Sequence, residues 1–358
     1  MMQAVILVGG QGTRLRPLTL TTPKPLVPLA NRPVIEHIVR WLEGYAVSEI
    51  ILATQYRAQA FERWLRRWKG VKVRAVEEPE PRGTAGAVAH VAGALHGTTI
   101  VVNGDNLMSL DLDAMLAFHR SAGASATISI DAVADPTGRG VVVAHGSGRV
   151  EEFQEKPAPG TARANTVNTG VYLLEPEALA AIPPDRFCNF EHDVFPQLIA
   201  SGAPVYAFQS EHTWIDTGTP GGYLRAQAAV LRGAASAPLG ELIGGVWRDD
   251  NVTIDGAASV EESAVGFGTI IASQAAIRLS SIGREAHILA GTQITGSAIW
   301  DGCQVEVGAV VDASIVGYNC YIGAGAQIAG SVIGDNCIIR AGAVLASGTI
   351  VQPGTTCP

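Results

Sequence analysis

Residues 7–26 hold the groups best suited to bind a polyphosphate. The stretch opens with Leu7-Val8-Gly9-Gly10-Gln11-Gly12-Thr13-Arg14 and follows an apolar run at residues 4–8 that predicts a buried strand. Its three glycines let the backbone approach a ligand closely, so that N–H groups can converge on phosphate oxygens. Arg14 adds a planar fork for bidentate phosphate contact, and Lys24 adds a compact charge. A glycine-rich turn alone is weak support, because structural turns after first strands are common.

Asp105 is a candidate metal ligand. It follows an apolar strand predicted over residues 98–102, in Asn103-Gly104-Asp105. In open α/β sheets ligands collect outside the carboxyl ends of strands, where the glycine-rich loop would also lie. A carboxylate beside a triphosphate can hold Mg²⁺, which prefers oxygen ligands and bridges phosphates. An ordinary turn aspartate is the alternative.

An α/β fold must position these residues. Up to residue 232, segments rich in β-branched residues alternate with helical patterns, which predicts a Rossmann-like, mostly parallel sheet covered by helices. The predicted helices span 33–45, 56–68 and 86–95, and the predicted strands span 49–53, 71–76, 98–102 and 171–174. Residues 233–245 are rich in small side chains and predict a linker.

The last hundred residues are periodic. Aliphatic residues recur at steps of five or six, which gives a true repeat of about seventeen residues. A triangular coil with three short strands per turn fits that period, and the pattern resembles the left-handed parallel β-helix of hexapeptide-repeat proteins. Cys303, Cys320 and Cys337 share one repeat position, for which we predict stacking of small inward side chains rather than a metal site.

The composition limits the class of protein. A chain of 358 residues with 47% apolar residues is long enough for two domains with separate cores. A formal charge of -8 and the lack of a basic run argue against a nucleic-acid partner. Neither an eighteen-residue apolar stretch nor a leader pattern is found, so we expect a cytoplasmic protein without a membrane partner. Five scattered cysteines predict reduced thiols rather than a disulfide framework.

The full string from Leu7 to Thr19, with Pro23-Lys24-Pro25-Leu26, resembles the signature of the sugar-1-phosphate nucleotidyltransferases, and most closely that of the mannose-1-phosphate guanylyltransferases. Neither the Gly-Lys-Ser/Thr ending of a P-loop nor the Gly-x-Gly-x-x-Gly of a dinucleotide-binding turn is found here. The resemblance implies transfer of a nucleotidyl group from an NTP, GTP above all, to a sugar 1-phosphate, mannose 1-phosphate above all. It implies Mg²⁺ as the cofactor and pyrophosphate as the second product.

The resemblance also implies roles for individual residues. Arg14 and Lys24 would be catalytic. Asp105, and Asp216 in a segment similar to the family's Trp-x-Asp-x-Gly-x-Pro, would bind the metal. The implied nucleotide-binding residues are Leu7, Gly9, Gly10, Gly12, Thr13, Arg14, Glu78, Gly83, Thr84 and Ala85.

The implied sugar-phosphate contacts lie between the two aspartates. Glu155-Lys156-Pro157 resembles the family's Glu-Lys-Pro motif, in which glutamate accepts from sugar hydroxyls and lysine meets the sugar phosphate. A solvated strand end is the alternative for this pair. Asn168-Thr169-Gly170 resembles the family's Asn-x-Gly, with Asn168 as a hydroxyl reader, and Gly140 lies where the family has a strand entry near the sugar.

Three departures from the family pattern leave the substrates open. Arg139 replaces an aromatic residue, Asn106 a valine and Arg82 an apolar residue. Another NTP, or glucose 1-phosphate or a cyclitol phosphate such as valienol 1-phosphate, therefore remains an alternative. So does a non-catalytic regulatory paralogue, although the proposed catalytic positions are intact. Thr84, implied as a base contact, could instead serve only as a helix cap.

The expected organisation is a nucleotidyltransferase catalytic domain over residues 1–232, a linker over 233–250 and a left-handed β-helix over 251–358. A second activity in the β-helix is not expected, because His287 is its only histidine and the repeat is scarcely interrupted. A surface for assembly into a homo-oligomer and a lid over the catalytic domain both remain open for it.

Overall fold

The computed structural model describes residues 2–234 and 240–358, which form two compact units. The first unit combines Met1–Gly10 with Ile38–Trp214, and the second combines Gln11–His37 with Ile215–Pro358. Residues 235–239, in the segment predicted as a linker, lie outside the described part. Within the described part, every helix is too short or too polar to span a bilayer.

A nine-stranded sheet forms the centre of the first unit. Its strands are Met2–Leu7, Val47–Thr54, Lys72–Glu77, Thr99–Asn103, Ala126–Ala132, Gly140–Ala144, Val150–Glu155, Thr166–Leu174 and Val205–Gln209. Met2–Leu7 pairs in parallel with both Val47–Thr54 and Thr99–Asn103, and Val47–Thr54 pairs in parallel with Lys72–Glu77. Thr166–Leu174 joins antiparallel neighbours to this parallel part. The sheet with helices confirms the predicted α/β class.

Helices cover the sheet. They are Val34–Glu43, Ala60–Arg67, Gly83–Val91, Leu112–Ser121, Pro176–Ala180 and Phe195–Ala200, with a 3-10 turn at Ala92–Ala94 and a π-helical turn at Phe190–Val194. Val34–Glu43 crosses the boundary between the units. A short strand, Asn106–Met108, follows Asp105. The buried core includes Val5, Ile51, Val101, Tyr172 and Phe195.

The predicted elements are present with shifted ends. The helix predicted over 86–95 begins three residues earlier, at Gly83, because residues far along the chain cap it: the Ala85 and Gly86 N–H groups both donate to the Cys188 carbonyl, at 3.0 Å each. An N-terminus satisfied by a distant segment leaves no local signal. The helix predicted over 56–68 is shorter, Ala60–Arg67.

The second unit contains the β-helix, as the repeat predicted. Three ladders stack one coil on the next, and partners such as Ile282, Ile299 and Val316 are seventeen residues apart. The first ladder comprises Val246–Arg248, Ala264–Val265, Ser281–Ile282, Ala298–Ile299, Ile315–Val316, Val332–Ile333 and Ile350–Val351. The second comprises Thr253–Ile254, Ile270–Ile271, His287–Ile288, Gln304–Val305, Tyr321–Ile322, Ile338–Ile339 and Thr356–Cys357. The third comprises Ser259–Glu261, Ala276–Arg278, Gln293–Thr295, Val310–Asp312, Gln327–Ala329 and Val344–Leu345.

The first coil begins inside the segment predicted as a linker. Glu241–Ile243 pairs antiparallel with Val246–Arg248, which pairs in parallel with Ala264–Val265. Other parts of the chain complete the second unit. They are the 3-10 turns Thr13–Leu15, Leu18–Leu20 and Lys24–Leu26, the small hairpin Pro28–Leu29 with Arg32–Pro33, the end of strand Trp214–Asp216, and helix Pro220–Leu231.

The cysteine ladder packs inside the coil, as predicted. Cys303, Cys320 and Cys337 are buried and unbridged. Each thiol lies against a backbone carbonyl of the following coil, as Cys303 Sγ does 3.1 Å from the Gly317 oxygen. Thr269 makes the equivalent contact to the Gly283 oxygen, at 2.6 Å, in an earlier coil. The position therefore takes small side chains: Thr269 and the cysteines donate to this carbonyl, whereas the buried Ala286 only packs there.

Candidate functional site

The parallel strands of the first unit end at one edge. Leu7 is level with Ala53 on one side and with Asn103 on the other. The Gly104 N–H donates to the Leu7 carbonyl at 3.0 Å, and a Cβ at Gly104 would lie 2.6 Å from Val8 Cγ1. Gly104 must therefore stay without a side chain for the two strand ends to meet. The loop at Val8–Gly10 and Asp105 thus leave the sheet from adjacent strands, as the sequence predicted.

Gly9 packs beside Glu78 at this edge. A Cβ at Gly9 would lie 3.3 Å from Gln55 Cβ and 3.8 Å from Glu78 Oε1, whereas one at Gly10 would meet nothing within 4 Å. Glu78 is buried and accepts the Arg82 N–H at 3.1 Å. Burial raises the pKa of Glu78, and the Arg82 hydrogen bond acts in the opposite direction. Its carboxylate thus fixes the loop that starts the next helix.

The Gly83-Thr84-Ala85 segment forms the first turn of that helix. Gly83 has φ +76°, and a Cβ there would lie 2.6 Å from the Cys188 carbonyl oxygen. The Thr84 N–H donates to Asn189 Oδ1 at 3.0 Å, and the Ala85 N–H donates to Cys188. These N–H groups are already engaged, so contact with a base in this arrangement would use carbonyl oxygens or side chains. The Thr84 hydroxyl does not cap its own helix; it donates to Glu191 Oε2 at 3.0 Å.

Sequence reasoning missed the importance of Tyr172 and Glu191. The Tyr172 hydroxyl donates to Glu191 Oε1 at 3.3 Å and accepts from Asn168 Nδ2 at 2.8 Å. Because Glu191 also accepts from Thr84, it joins the loop implied to read the base to the strand implied to read the sugar. Burial and the Glu191 charge raise the pKa of Tyr172 well above its usual value. The sequence signal that could have identified this contact was Glu191 in the Glu-x-Asp-Val-Phe-Pro segment.

Asn168 lies where the strand Thr166–Leu174 changes register against Ala126–Ala132. Its Oδ1 accepts the Gly170 N–H at 2.8 Å, and its Nδ2 donates to Tyr172. Gly170 has φ +79°, and a Cβ there would lie 2.4 Å from Asn103 Nδ2. The side chain is thus held in one orientation, and a second Nδ2 proton and an Oδ1 lone pair remain for a ligand hydroxyl.

Glu155, Lys156 and Gly140 lie together at a hairpin. Glu155 ends its strand opposite Gly140, and a Cβ at Gly140 would lie 3.0 Å from Glu155 Oε2. Lys156 has φ +47° and its Nζ lies 2.8 Å from Glu155 Oε1. The Glu155 side chain is 13% exposed and that of Lys156 67% exposed. The lysine charge is therefore accessible to an anion, while the glutamate is held beside it.

Arg14, Lys24 and Asp216 come together in the second unit. Arg14 Nη2 lies 3.3 Å from Asp216 Oδ2, and Lys24 Nζ lies 3.8 Å from Asp216 Oδ1. The Lys24 side chain is only 8% exposed, whereas that of Arg14 is 61% exposed. Gly12, with φ +62°, permits the burial of Lys24, since a Cβ there would lie 2.9 Å from Lys24 Cβ. Thr13 begins the 3-10 turn that carries Arg14.

Gly218 is a further residue of this cluster. Its N–H donates to Asp216 Oδ1 at 2.7 Å. A Cβ at Gly218 would lie 2.7 Å from Arg14 Nη2, from Asp216 Oδ1 and from Lys24 Nζ. The three charged groups can converge only because this position has no side chain. The glycine of Trp-x-Asp-x-Gly-x-Pro was the signal for it.

The charges of this cluster suit a polyphosphate. Two cations face one carboxylate, which leaves net positive charge for phosphoryl oxygens. Within the residues described, no three or more His, Cys, Asp and Glu side chains form a group that could cage a metal. Asp216 remains 32% exposed, and its carboxylate is a hard oxygen donor of the type that Mg²⁺ accepts beside phosphates. The donor chemistry of Asp216 therefore fits the implied metal.

The chain is similar to known families and proteins. Residues 3–233 match the nucleotidyl transferase family, and residues 248–356 match the GMPPB C-terminal domain. A mannose-1-phosphate guanylyltransferase of Mycobacterium tuberculosis is 38% identical over 295 residues, which cover 81% of this chain and 77% of that protein. Mannose-1-phosphate guanylyltransferase 1 of Arabidopsis thaliana is 38% identical over 294 residues, which cover 78% of this chain and 80% of that protein.

Similar folds are found among solved structures. HddC from Yersinia pseudotuberculosis superposes with a TM-score of 0.57 and 30% identity, over 64% of this chain and 100% of that one. The same protein complexed with GMP-PN superposes with a TM-score of 0.56, 30% identity and the same coverage.

Proposed function

Because the chain belongs to the nucleotidyl transferase family, we propose that it transfers a guanylyl group from GTP to mannose 1-phosphate. The products are GDP-mannose and pyrophosphate. The observation that carries the proposal is the convergence of Arg14 and Lys24 on Asp216 around Gly218. The names of the similar proteins support the choice of mannose and guanine, as does the GMP-PN complex of HddC.

The proposed reaction is a single displacement. A phosphate oxygen of the sugar 1-phosphate forms a bond to the α-phosphorus of GTP, and the bond from that phosphorus to the β-phosphate oxygen breaks. The electron pair leaves with pyrophosphate. No covalent intermediate with the protein is needed, because the attacking phosphate is already ionised at neutral pH. Positioning and neutralisation of negative charge supply the rate enhancement.

The triphosphate is assigned to the glycine-rich segment and its cations. Because the Arg14 side chain is exposed, we assign to it the exchange of Asp216 for phosphate oxygens. Lys24 is buried and supplies a fixed charge. We also assign the backbone at Leu7, Gly9, Gly10, Gly12 and Thr13 to the triphosphate.

Mg²⁺ is the proposed cofactor, with Asp105 and Asp216 as its protein ligands. When bound, it would neutralise negative charge on the phosphates. With the metal in place, Asp216 oxygens would exchange part of their contact with Arg14 for contact with the cation. The Gly218 N–H would keep the carboxylate oriented.

The sugar phosphate is assigned to the hairpin and the register shift of the first unit. The exposed Lys156 ammonium would meet its phosphate, and Glu155 would accept from its hydroxyls. Asn168, oriented by Gly170 and Tyr172, would add a further hydroxyl contact. For the base, Glu78 and the Gly83-Thr84-Ala85 turn are assigned.

A panel of reactions tests the proposal. Pyrophosphate release is measured with each of four NTPs and dTTP against mannose, glucose and cyclitol 1-phosphates, including valienol 1-phosphate. The expected result is the highest kcat/KM with GTP and mannose 1-phosphate. A higher kcat/KM for another pair would contradict the proposed substrates but support the proposed type of reaction. No turnover with any pair would favour the non-catalytic regulatory paralogue and contradict the proposal.

The proposed location is the cytoplasm, where NTPs are available and thiols such as those of the cysteine ladder remain reduced. We also propose a homo-oligomer. Several apolar side chains on the outside of the β-helix are exposed, including Tyr321 and Ile338, which are neighbours in the second ladder. Light scattering of the purified protein during gel filtration measures the oligomeric state, and a monomer mass would contradict this part. The proposed domains remain residues 1–232, 233–250 and 251–358.

A further inference from the structure

The segment Gln11–His37, which carries Arg14 and Lys24, has little regular structure of its own. It contains three 3-10 turns of three residues each and one hairpin with two-residue strands. A 3-10 turn contributes few hydrogen bonds, such as the one from the Val27 N–H to the Lys24 carbonyl at 3.2 Å. The position of Lys24 therefore depends on what the segment packs against within the second unit.

A buried chain of hydrogen bonds joins this segment to the β-helix. Trp300 Nε1–H donates to the Tyr223 hydroxyl at 3.3 Å, and the Tyr223 hydroxyl donates to the Pro28 carbonyl. Trp300 is 2% exposed and Tyr223 is fully buried. Pro28 follows the Lys24–Leu26 turn closely in the chain. The lysine turn is thus tied to a β-helix side chain through one tyrosine.

The helix that carries Tyr223 also connects the β-helix to Asp216. Helix Pro220–Leu231 carries Tyr223 and starts just after Asp216, whose carbonyl oxygen would lie 2.2 Å from a Cβ at Gly222. Gln227 anchors the helix further along, since its Nε2 donates to the Ser297 carbonyl at 2.8 Å and its Oε1 accepts from Ser281 Oγ at 2.7 Å. Gln227 is 1% exposed.

The hairpin after Lys24 has its own contacts with the β-helix. Asn31 Nδ2 donates to the Ile282 carbonyl at 2.7 Å. Arg32 Nη2 lies 3.0 Å from Asp249 Oδ1. Polar contacts fix positions more narrowly than apolar packing, because their geometry is directional and a buried unpaired group is costly. Apolar packing alone could attach this segment to the β-helix. The additional polar bonds of Tyr223, Gln227, Asn31 and Arg32 therefore indicate that its exact position matters.

We propose that the β-helix is a positioning scaffold for the triphosphate-binding residues, with Tyr223, Trp300 and Gln227 as its positioning residues. Tyr223 holds the Lys24 turn through Pro28, and the helix that carries it holds Asp216. The identity of the ligand rests on the proposed function. This role differs from both an assembly surface and a lid, because it acts on the free protein before any ligand or partner binds.

Tyr223→Phe is the most direct test. It removes the hydroxyl that bonds to Pro28 and keeps the ring in the core. The expected result is a KM for GTP raised roughly fivefold to tenfold, the change that follows from losing one buried hydrogen bond. The KM for mannose 1-phosphate should change less than about twofold, within ordinary measurement scatter. Gln227→Met, of similar size, should shift the KM for GTP in the same direction.

Tyr318→Phe is the matched control. Tyr318 packs against Trp300 with ring centroids 4.8 Å apart and ring planes tilted by 54°. The variant therefore removes a hydroxyl from the same aromatic cluster and leaves the Tyr223–Pro28 bond intact. It should leave both KM values unchanged. An unchanged KM for GTP in Tyr223→Phe would overturn the proposal. Equal effects of Tyr223→Phe and Tyr318→Phe on both KM values would also overturn it, since they would report general loosening.

A binding measurement separates this proposal from the proposed reaction. Calorimetric titration of the full chain with GTP alone should show weaker binding for Tyr223→Phe than for the unchanged protein. If the unchanged protein binds GTP and forms no GDP-sugar, the proposed function fails while the difference in GTP affinity still decides the positioning role. If the unchanged protein does not bind GTP, both proposals fail.

Discussion

At the scale of single residues, the cluster around Gly218 depends on the absence of one side chain. Asp216, Arg14 and Lys24 each have an atom that would lie 2.7 Å from a Cβ at Gly218. Two of these groups are cationic and one is anionic, so the cluster is stable without ligand and still attracts phosphate. The residues can therefore be tested separately for charge and for space.

Asp216→Asn tests the charge. The amide keeps an oxygen for the Gly218 N–H but loses the negative charge that faces Arg14, Lys24 and the proposed Mg²⁺. We expect kcat to fall by about 10²–10³, as for removal of one electrostatic partner of a reacting group. Steady-state pyrophosphate release measures kcat, and thermal unfolding measures whether the variant keeps its fold.

Asp113→Asn, on an exposed helix start, is the control for Asp216→Asn and should keep normal turnover. Retention of near-normal kcat in Asp216→Asn would contradict the metal and charge assignment.

Gly218→Ala tests the space. Its methyl group would lie 2.7 Å from three charged atoms, so they must move apart. We expect kcat/KM for GTP to fall about tenfold or more, which is the effect of misplacing catalytic groups by a fraction of an ångström or more. Gly221→Ala is the control, because the nearest atom to its Cβ would be Arg225 Nη1 at 3.6 Å. Equal activity of the two variants would show that the convergence of charges is unimportant.

At the scale of elements, the sequence predicted the strands and helices that follow a local pattern. The parallel strands, the seventeen-residue coil and the position of Asp105 after a strand all follow from periodicity and strand ends. The start of the helix at Gly83 could not be predicted, because Cys188 and Asn189 cap it from a distant part of the chain. For the same reason the contacts of Glu191 with Thr84 and Tyr172 could not be predicted, because these residues lie on separate segments of the chain.

A charged cluster on the sheet gives a prediction about pH. The Glu49 carboxylate bonds to three side chains on the neighbouring strands, those of Lys72, Gln3 and Arg74. These contacts, of which the one with Lys72 is the strongest, lower the pKa of Glu49 from 4.5 to about 2. A lowered folded-state pKa gives stability that is present above pH 4.5 and is lost as pH falls towards 2. Glu49→Gln should therefore lower Tm by roughly 2–4 °C at pH 7. At pH 3 the difference in Tm between Glu49→Gln and the unchanged protein should be about half as large or less.

Glu62→Gln is the matched control for Glu49→Gln, because the Glu62–Arg66 pair is exposed and contributes little to stability. Calorimetric scans at both pH values provide the measurement. A Tm difference for Glu49→Gln that does not shrink at low pH would contradict the role of its charge.

The cysteine ladder gives a prediction about reactivity. Cys188, Cys303, Cys320 and Cys337 are buried, and Cys357 is partly exposed. Burial raises the pKa of Cys337 to about 11. The neighbouring Cys303 thiol, together with burial, raises the pKa of Cys320 above its usual value. Ellman's reagent should therefore label one thiol quickly in the folded protein and all five after denaturation. Cys357→Ser should remove the fast phase, whereas fast labelling that persists would show that the ladder opens.

At the scale of the whole molecule, contacts divide the chain differently from its composition. The composition changes at the small-residue segment 233–245, whereas the chain passes from one compact unit to the other after Gly10, after His37 and after Trp214. The grouping of Gln11–His37 with the β-helix rests on side-chain contacts such as Tyr223 with Pro28. Residues nearly two hundred positions apart leave no periodic signal for such a contact, so the sequence could identify both ends of the chain but not this connection.

In the proposed reaction, the α-phosphorus of GTP is transferred to a sugar phosphate. GTP labelled with ³²P at the α-phosphorus is incubated with the purified protein, mannose 1-phosphate and Mg²⁺, and the products are separated by chromatography. We expect the label to appear in GDP-mannose, unlabelled pyrophosphate to be released in equal amount, and Asp216→Asn to form both products at a rate lower by about 10²–10³. Label that stays in GTP, or appears in GDP or GMP without a sugar, would contradict it.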